Sequence, residues 1–196
     1  MAFQTIILQN KLIEKNDPIV VGYVGMISKR KGFDILAKVI ESMGDNIQWK
    51  IAYNLIEDSC QDILDCIIAK KNVQPFFRLN SSEMKAFYDA IDILIVPSRQ
   101  DPLPTVVIEA MARKKLVLGS NTGGIPELLG SKRYLFKVED SSSIETMLSE
   151  YCNKDTYEFS SYVEEQWQRA YGMFRSFSKR TYVNSIISEK LKGDRV

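Results

Sequence analysis

The sequence contains no histidine. That absence removes Cys–His zinc sites, Ser–His–Asp triads and histidine general bases from the chemistry the chain can supply. Its three cysteines, Cys60, Cys66 and Cys152, form no C-x-x-C pair and no metal-ligand spacing. Basic and acidic side chains nearly cancel, 26 against 25, so no field favours nucleic acid or an acidic membrane. No apolar run approaches the roughly 20 residues needed to span a bilayer. Near the amino terminus Ile6, Ile7 and Leu8 give way to Gln9, Asn10 and Lys11, which is unlike a signal peptide. The expectation is a soluble cytoplasmic protein of a reducing compartment.

With 196 residues, 45% of them apolar, the chain has material for one large domain or one domain plus a helical extension. Short β-branched runs alternate with amphipathic segments. Strands are expected at Ile19–Val24, Gln48–Tyr53, Val73–Phe77, Asp92–Val96, Leu116–Leu118 and Tyr134–Val138. Helices are expected at Phe33–Met43, at about Glu57–Ala69, from an N-cap at Ser81, over Thr105–Arg113, and briefly after Gly123-Gly124-Ile125-Pro126. From Ser141 the pattern is helical only, at roughly 142–152, 155–172 and 177–192. This alternation predicts an α/β, Rossmann-like, doubly wound parallel sheet of about six strands, helices on both faces and a helical C-terminal extension. Residues 1–17 read as a leader or interdomain segment, 18–140 as the Rossmann-like domain, and 141–196 as C-terminal helices of the same domain.

In such a sheet ligands bind beyond the carboxyl ends of the strands, where the strand order reverses. In the common order that point lies between the first and fourth strands, followed here by the loops Gly25–Gly32 and Pro97–Thr105. The first loop, Gly25-Met-Ile-Ser-Lys-Arg-Lys-Gly32, has a glycine at each end and three consecutive cations. Glycines admit close backbone approach, and the helix that follows offers free N–H groups and a positive dipole end. Lys31, beside the helix start, is the candidate phosphate contact; Lys29 and Arg30 read as a solvated basic turn. In the second loop Pro104 sits where its missing N–H costs nothing, and Thr105, Val106 and Val107 have N–H groups unpaired within the helix. Thr105 and Glu109 share a helical face, and helical side chains lean toward the amino end. Glu109 has apolar neighbours on both sides, so its carboxylate needs a hydrogen-bond donor. One reading supplies that donor as a ligand diol, such as a ribose beside a diphosphate; the other makes Glu109 an acid placed near a helix dipole.

Gly25 to Gly32 resembles the G-R-L-x-x-x-K-G turn of the family 4 (group 1) glycosyltransferases, retaining enzymes of the GT-B fold. Asp101 to Glu109, followed by Ala-Met-Ala, is similar to their E-x7-E motif. Ser120 to Glu127 resembles their S-x-x-G-G-x-x-E loop, and Phe87 to Asp92 through Pro97-Ser98 resembles the family segment that usually reads ly–aD–lvPS. The match runs from about residue 18 to the end, including a basic-aromatic terminal helix near Phe177–Leu191. It implies the C-terminal, nucleotide-sugar-binding half of such an enzyme, with a UDP-sugar or GDP-sugar donor, a hexosyl group transferred, and neither a cofactor nor a metal. By resemblance Lys31 neutralises the diphosphate, Glu109 accepts from the ribose hydroxyls, and Asp101 holds sugar hydroxyls. Gly25 and Met26 border the diphosphate. The backbone around Leu103, Pro104, Thr105 and Val106 contacts sugar and phosphate, and Arg78 and Leu79 border the base.

Three positions depart from the pattern. Met26 replaces an arginine, so one diphosphate cation is missing. Asp101 is one methylene shorter than glutamate, and Pro104 replaces a glycine and has no N–H. The resemblance also implies a missing N-terminal GT-B domain carrying the acceptor site, on the same chain or a separate subunit, through which peripheral membrane association would arise. The expected activity is donor binding without transfer by this chain alone, within bacterial surface-polysaccharide or glycolipid synthesis. The alternatives are a non-catalytic nucleotide-binding or partner-docking module, and a domain similar to nucleotide-sugar epimerases. No nucleic-acid partner is expected.

Overall fold

A computed structural model describes residues 12–176. Six strands, β1 (Ile19–Val24), β2 (Ile47–Tyr53), β3 (Val73–Phe77), β4 (Ile93–Val96), β5 (Leu116–Ser120) and β6 (Leu135–Phe136), form one sheet in the order β3-β2-β1-β4-β5-β6. Every pairing is parallel, and β1 lies beside β4 with Val21 opposite Ile93 and Gly22 opposite Leu94. Parallel strands covered on both faces require near-continuous apolar runs, which is how β1 and β4 read; all four residues of β4 are buried.

The helices are α1 (Phe33–Ser42), α2 (Gln61–Ile68), α3 (Ser81–Asp89), α4 (Thr105–Ala112), α5 (Ile125–Leu129), α6 (Ser141–Cys152) and α7 (Thr156–Ser176). α1 packs beside α2 and α6, while α4 packs beside α5 and α7. The architecture is therefore the expected doubly wound α/β sheet with helices on both faces. The terminal helix expected at 177–192 lies outside the described residues.

Several boundaries differ from the sequence reading, each for a local reason. The cap of α3 is Asn80 rather than Ser81. Its side-chain oxygen accepts from the N–H groups of Ser82 (2.9 Å) and Glu83 (3.0 Å), and the Glu83 carboxylate accepts from the Asn80 N–H (2.7 Å). That reciprocal capping box satisfies donors a serine one residue later would leave open. The second helix opens with a separate 3-10 turn, Asp58–Cys60. β6 is two residues long instead of five, because Lys132–Tyr134 forms a 3-10 turn and β6 reaches only Gly119 and Ser120 of β5. Where β6 fails to cover β5, the buried Gln166 amide of α7 substitutes for a strand: it accepts from the Val117 N–H and donates to the Val117 carbonyl, both at 2.8 Å.

Residues 12–17, set apart as a leader in the sequence reading, are fastened to the domain. The Ile13 N–H donates to Ser160 Oγ (2.8 Å), and Lys15 Nζ donates to the Cys152 carbonyl (2.8 Å). Asn16 donates from its backbone N–H and its side-chain amide to the Asp92 carboxylate.

Candidate functional site

The reversal of strand order between β1 and β4 brings their following loops together at the carboxyl edge of the sheet. Gly32 sets the separation. Its φ of +73° suits a residue without a Cβ, and a Cβ there would lie 1.9 Å from the Pro97 carbonyl oxygen. This close approach carries Lys31 to the β4 loop, where Lys31 Nζ donates to Asp101 Oδ2 at 2.6 Å. Behind Asp101, Gly123 has φ +55°, and a Cβ would meet the Asp101 carbonyl oxygen at 2.1 Å. The next amide, Gly124 N–H, donates to that same oxygen at 3.0 Å. The Ser120–Glu127 segment is thus a bracket that holds the Asp101 loop from behind.

Arg99 laces these loops from the side. Its guanidinium takes Asp34, at the start of α1, as a bidentate partner at 2.6 and 2.9 Å. It also donates to the Lys29 carbonyl and to Glu139 after β6. Burial alone would raise the Asp34 pKa, but the hydrogen bonds and charge of Arg99 outweigh it and hold the carboxyl below the usual range. The backbone adds a further tie, Arg99 N–H to the Arg30 carbonyl at 2.9 Å.

Two adjoining hollows follow from this framework. A narrow cleft of about 120 Å3 is walled by residues that include Gly25, Lys31, Asp101, Leu103, Pro104, Thr105 and Val106. A second, of about 260 Å3, is walled by residues that include Gly25, Tyr53, Asn54, Arg78, Leu79, Met84 and Val106. Val24, Gly25 and Val106 belong to both, so the two form one groove along the sheet edge. α4 opens on this groove with Pro104 at its N-cap, and the N–H groups of Thr105 and Val106 have no acceptor among the described residues. Such amides, with the positive end of the helix behind them, suit an anion.

Two sequence-predicted residues stand apart. Met26 borders neither hollow, and its carbonyl accepts from the Tyr23 hydroxyl at 2.7 Å. Burial keeps that phenol protonated and therefore a donor. Glu109 borders neither hollow either. It is half-buried, and the hydroxyl of buried Tyr88 donates to its Oε2 at 3.1 Å. Burial pushes the Glu109 pKa above that of an ordinary glutamate, and the Tyr88 hydrogen bond and the charge of Arg113 only partly offset it. Part of what satisfies this acid therefore belongs to the protein itself. Lys29 and Arg30 are exposed, as a solvated basic turn would be.

A broader depression of about 710 Å3 lies at the opposite, amino edge of the sheet, between residues 14–19, the end of α1 and the start of α7. Size does not make it the better site. Its lysine, Lys15, is already bound to main-chain carbonyls, whereas the carboxyl-edge groove has a cation, an acid and open helix amides facing one space. The sequence reading did not assign roles to Tyr88, Arg99 or the Gly123–Gly124 bracket. The two glycines and Tyr88 were visible within motifs of the resemblance, and Arg99 only as an arginine amid prolines and an acid in the β4 loop.

The order of strands, the groove at the switch point and its charged pair define a doubly wound α/β protein with a polar groove at the carboxyl edge of a parallel sheet. The model of the family Glycosyl transferases group 1 matches residues 4–166, and the chain belongs to that family. It is 28% identical over 157 residues to the capsular polysaccharide biosynthesis glycosyltransferase CapM of Staphylococcus aureus, covering 75% of this chain and 41% of CapM. The fold is similar to the C-terminal domain of the group 1 family glycosyl transferase LpcC of Francisella tularensis. There the TM-score is 0.69 at 19% identity, over 80% of this chain and 86% of that domain. It is also similar to Anabaena HepE, solved in complex with UDP and glucose, with TM-score 0.69 and 19% identity over 97% of this chain and 51% of that one. These likenesses identify the fold as that of a GT-B glycosyltransferase domain. The chain spans less than half the length of the curated relatives it matches.

Proposed function

We propose that this chain binds the nucleotide-sugar donor of a glycosyltransferase that moves a hexosyl group to a glycan or glycolipid with retained anomeric configuration. The observation that carries the reading is the meeting of Lys31, Asp101 and the open Thr105 and Val106 amides in one cleft, beside a second hollow with largely apolar walls. Lys31 and the amides supply positive charge and N–H donors for a diphosphate, and so stabilise it as it leaves. Asp101 is an acceptor for sugar hydroxyls. The second hollow, with the backbone at Arg78 and Leu79 on its wall, has the shape of a base subsite. Glu109, one helical turn beyond Thr105, takes ribose hydroxyls if its side chain turns from Tyr88 to the groove.

A second domain supplies the acceptor site, as the short span against full-length relatives suggests, and the chain alone binds donor without transferring it. Calorimetric titration with UDP, GDP and ADP and their hexose conjugates tests this reading. One base series is expected to bind, and replacing Lys31 with alanine is expected to weaken it at least about tenfold through the lost phosphate contact. A folded sample that binds none of them would favour a docking module instead, for which Met26, in place of a diphosphate-binding arginine, is the motive.

A further inference from the structure

The contact between Lys31 and Asp101 sets the two halves of the donor against each other. Asp101 is buried, with its side chain 8% exposed, and Lys31 is its side-chain partner at 2.6 Å. No other group among the described residues donates to that carboxylate. The Lys31 side chain is 23% exposed and forms part of the cleft wall. A diphosphate entering the cleft competes for this ammonium. Either it draws Lys31 away and leaves a buried carboxylate without a donor, or it shares the ammonium and brings a second anion beside Asp101. Both are unfavourable: in the first case a mostly buried acceptor loses its partner, and in the second two anions are brought together.

A sugar attached to the diphosphate changes the balance. Its hydroxyls are donors, and Asp101 accepts from them as Lys31 turns to the phosphates. We infer that Asp101 is a specificity-determining residue, one that makes the cleft discriminate an intact nucleoside diphosphate sugar from the bare nucleoside diphosphate. After transfer the donor has lost its sugar, Asp101 recovers Lys31, and the product is released more readily. The inference rests on the donor-binding reading above and deepens it.

The test is the ratio of two affinities, measured by calorimetry on the full chain with UDP, GDP and ADP against UDP-glucose, GDP-mannose and ADP-glucose. The parent is expected to prefer the conjugate of the base it binds. In Asp101→Asn, which keeps the shape and removes the charge, the bare diphosphate is expected to gain about tenfold, with the conjugate changing much less, so the preference collapses. Asp101→Glu, which keeps the acid, is expected to retain a preference; its collapse there too overturns the inference. If Asp101→Asn strengthens both ligands by the same factor, Asp101 acts only through charge repulsion, and the inference falls while the donor site stands. If the parent binds no nucleotide of any series, the donor-site reading and this inference fall together. Melting curves of both variants establish that a change in ratio belongs to folded protein.

Discussion

Two aspartates of nearly equal burial, Asp92 at 6% exposure and Asp101 at 5%, sit at opposite edges of the same sheet. Asp92, just before β4, accepts four hydrogen bonds, from the Asn16 N–H, twice from the Asn16 amide, and from the Val20 N–H at 2.8 Å. Its neutral donors come from the chain on either side of Pro18, and nothing remains for a ligand to add. The Asp101 carboxylate has one partner among the described residues, a lysine on a cleft wall. A buried carboxylate saturated by neutral donors of its own chain fixes structure; one held by a single displaceable cation is available for exchange. The amino edge of this sheet is closed in that sense and the carboxyl edge is open.

The contrast has a stability counterpart. Asp92→Ala strands three donor groups on Asn16 and Val20 and is expected to cost about 3 kcal/mol, read from urea unfolding. Asp101→Ala should cost about 1 kcal/mol or less, since the lysine it releases can reach water. Equal losses would abolish the distinction between the two acids.

Gly32→Ala attacks the geometry that creates the open edge. A left-handed alanine with its Cβ against the Pro97 carbonyl is expected to lose about 2 kcal/mol and to weaken nucleotide binding by displacing Lys31. Normal stability with normal binding would mean that the loop pairing does not depend on this approach.

Glu109 provides the smallest and most selective test. Its folded pKa is raised, so the folded chain holds this proton more tightly than the unfolded one. The associated stability is present below the unfolded pKa and is lost as pH rises through the folded value. Glu109→Gln should therefore gain on the parent between acid and neutral pH, by less than about 1 kcal/mol given the partial exposure of the group, and hold a constant difference above that window. A difference that shrinks with rising pH would show Glu109 to be stabilised as an anion, contrary to the burial argument.

Much of this architecture was legible in the residue pattern. The β-branched runs at Ile19 and Ile93 mark central strands because both faces of a parallel sheet are covered, and alternation with amphipathic helices selects the doubly wound class. The loops that meet at the switch point follow from that class, and Lys31 and Thr105 could be named from it, whereas Asp101 was named only through the family resemblance. The capping of α3 was misread by one residue because Asn80 and Ser81 are both good caps, and only the return bond from Glu83 separates them. β6 was overestimated because its run competes with a turn and with Gln166, 49 residues from the backbone it satisfies. Arg99 and Tyr88 went unassigned because their partners, Asp34 and Glu109, lie 65 and 21 residues away.

By itself the sequence determined the class of fold, the two loops that meet at the carboxyl edge and the residue types available there. Periodicity and local turn chemistry act over a few residues, and the chain carries that information directly. Only the tertiary structure decided that Lys31 and Asp101, 70 residues apart, pair with each other on the cleft wall, and that Glu109 finds Tyr88. Burial and pairing depend on which groups the packed sheet brings within hydrogen-bond reach, and that distance is not written in any local stretch of the chain.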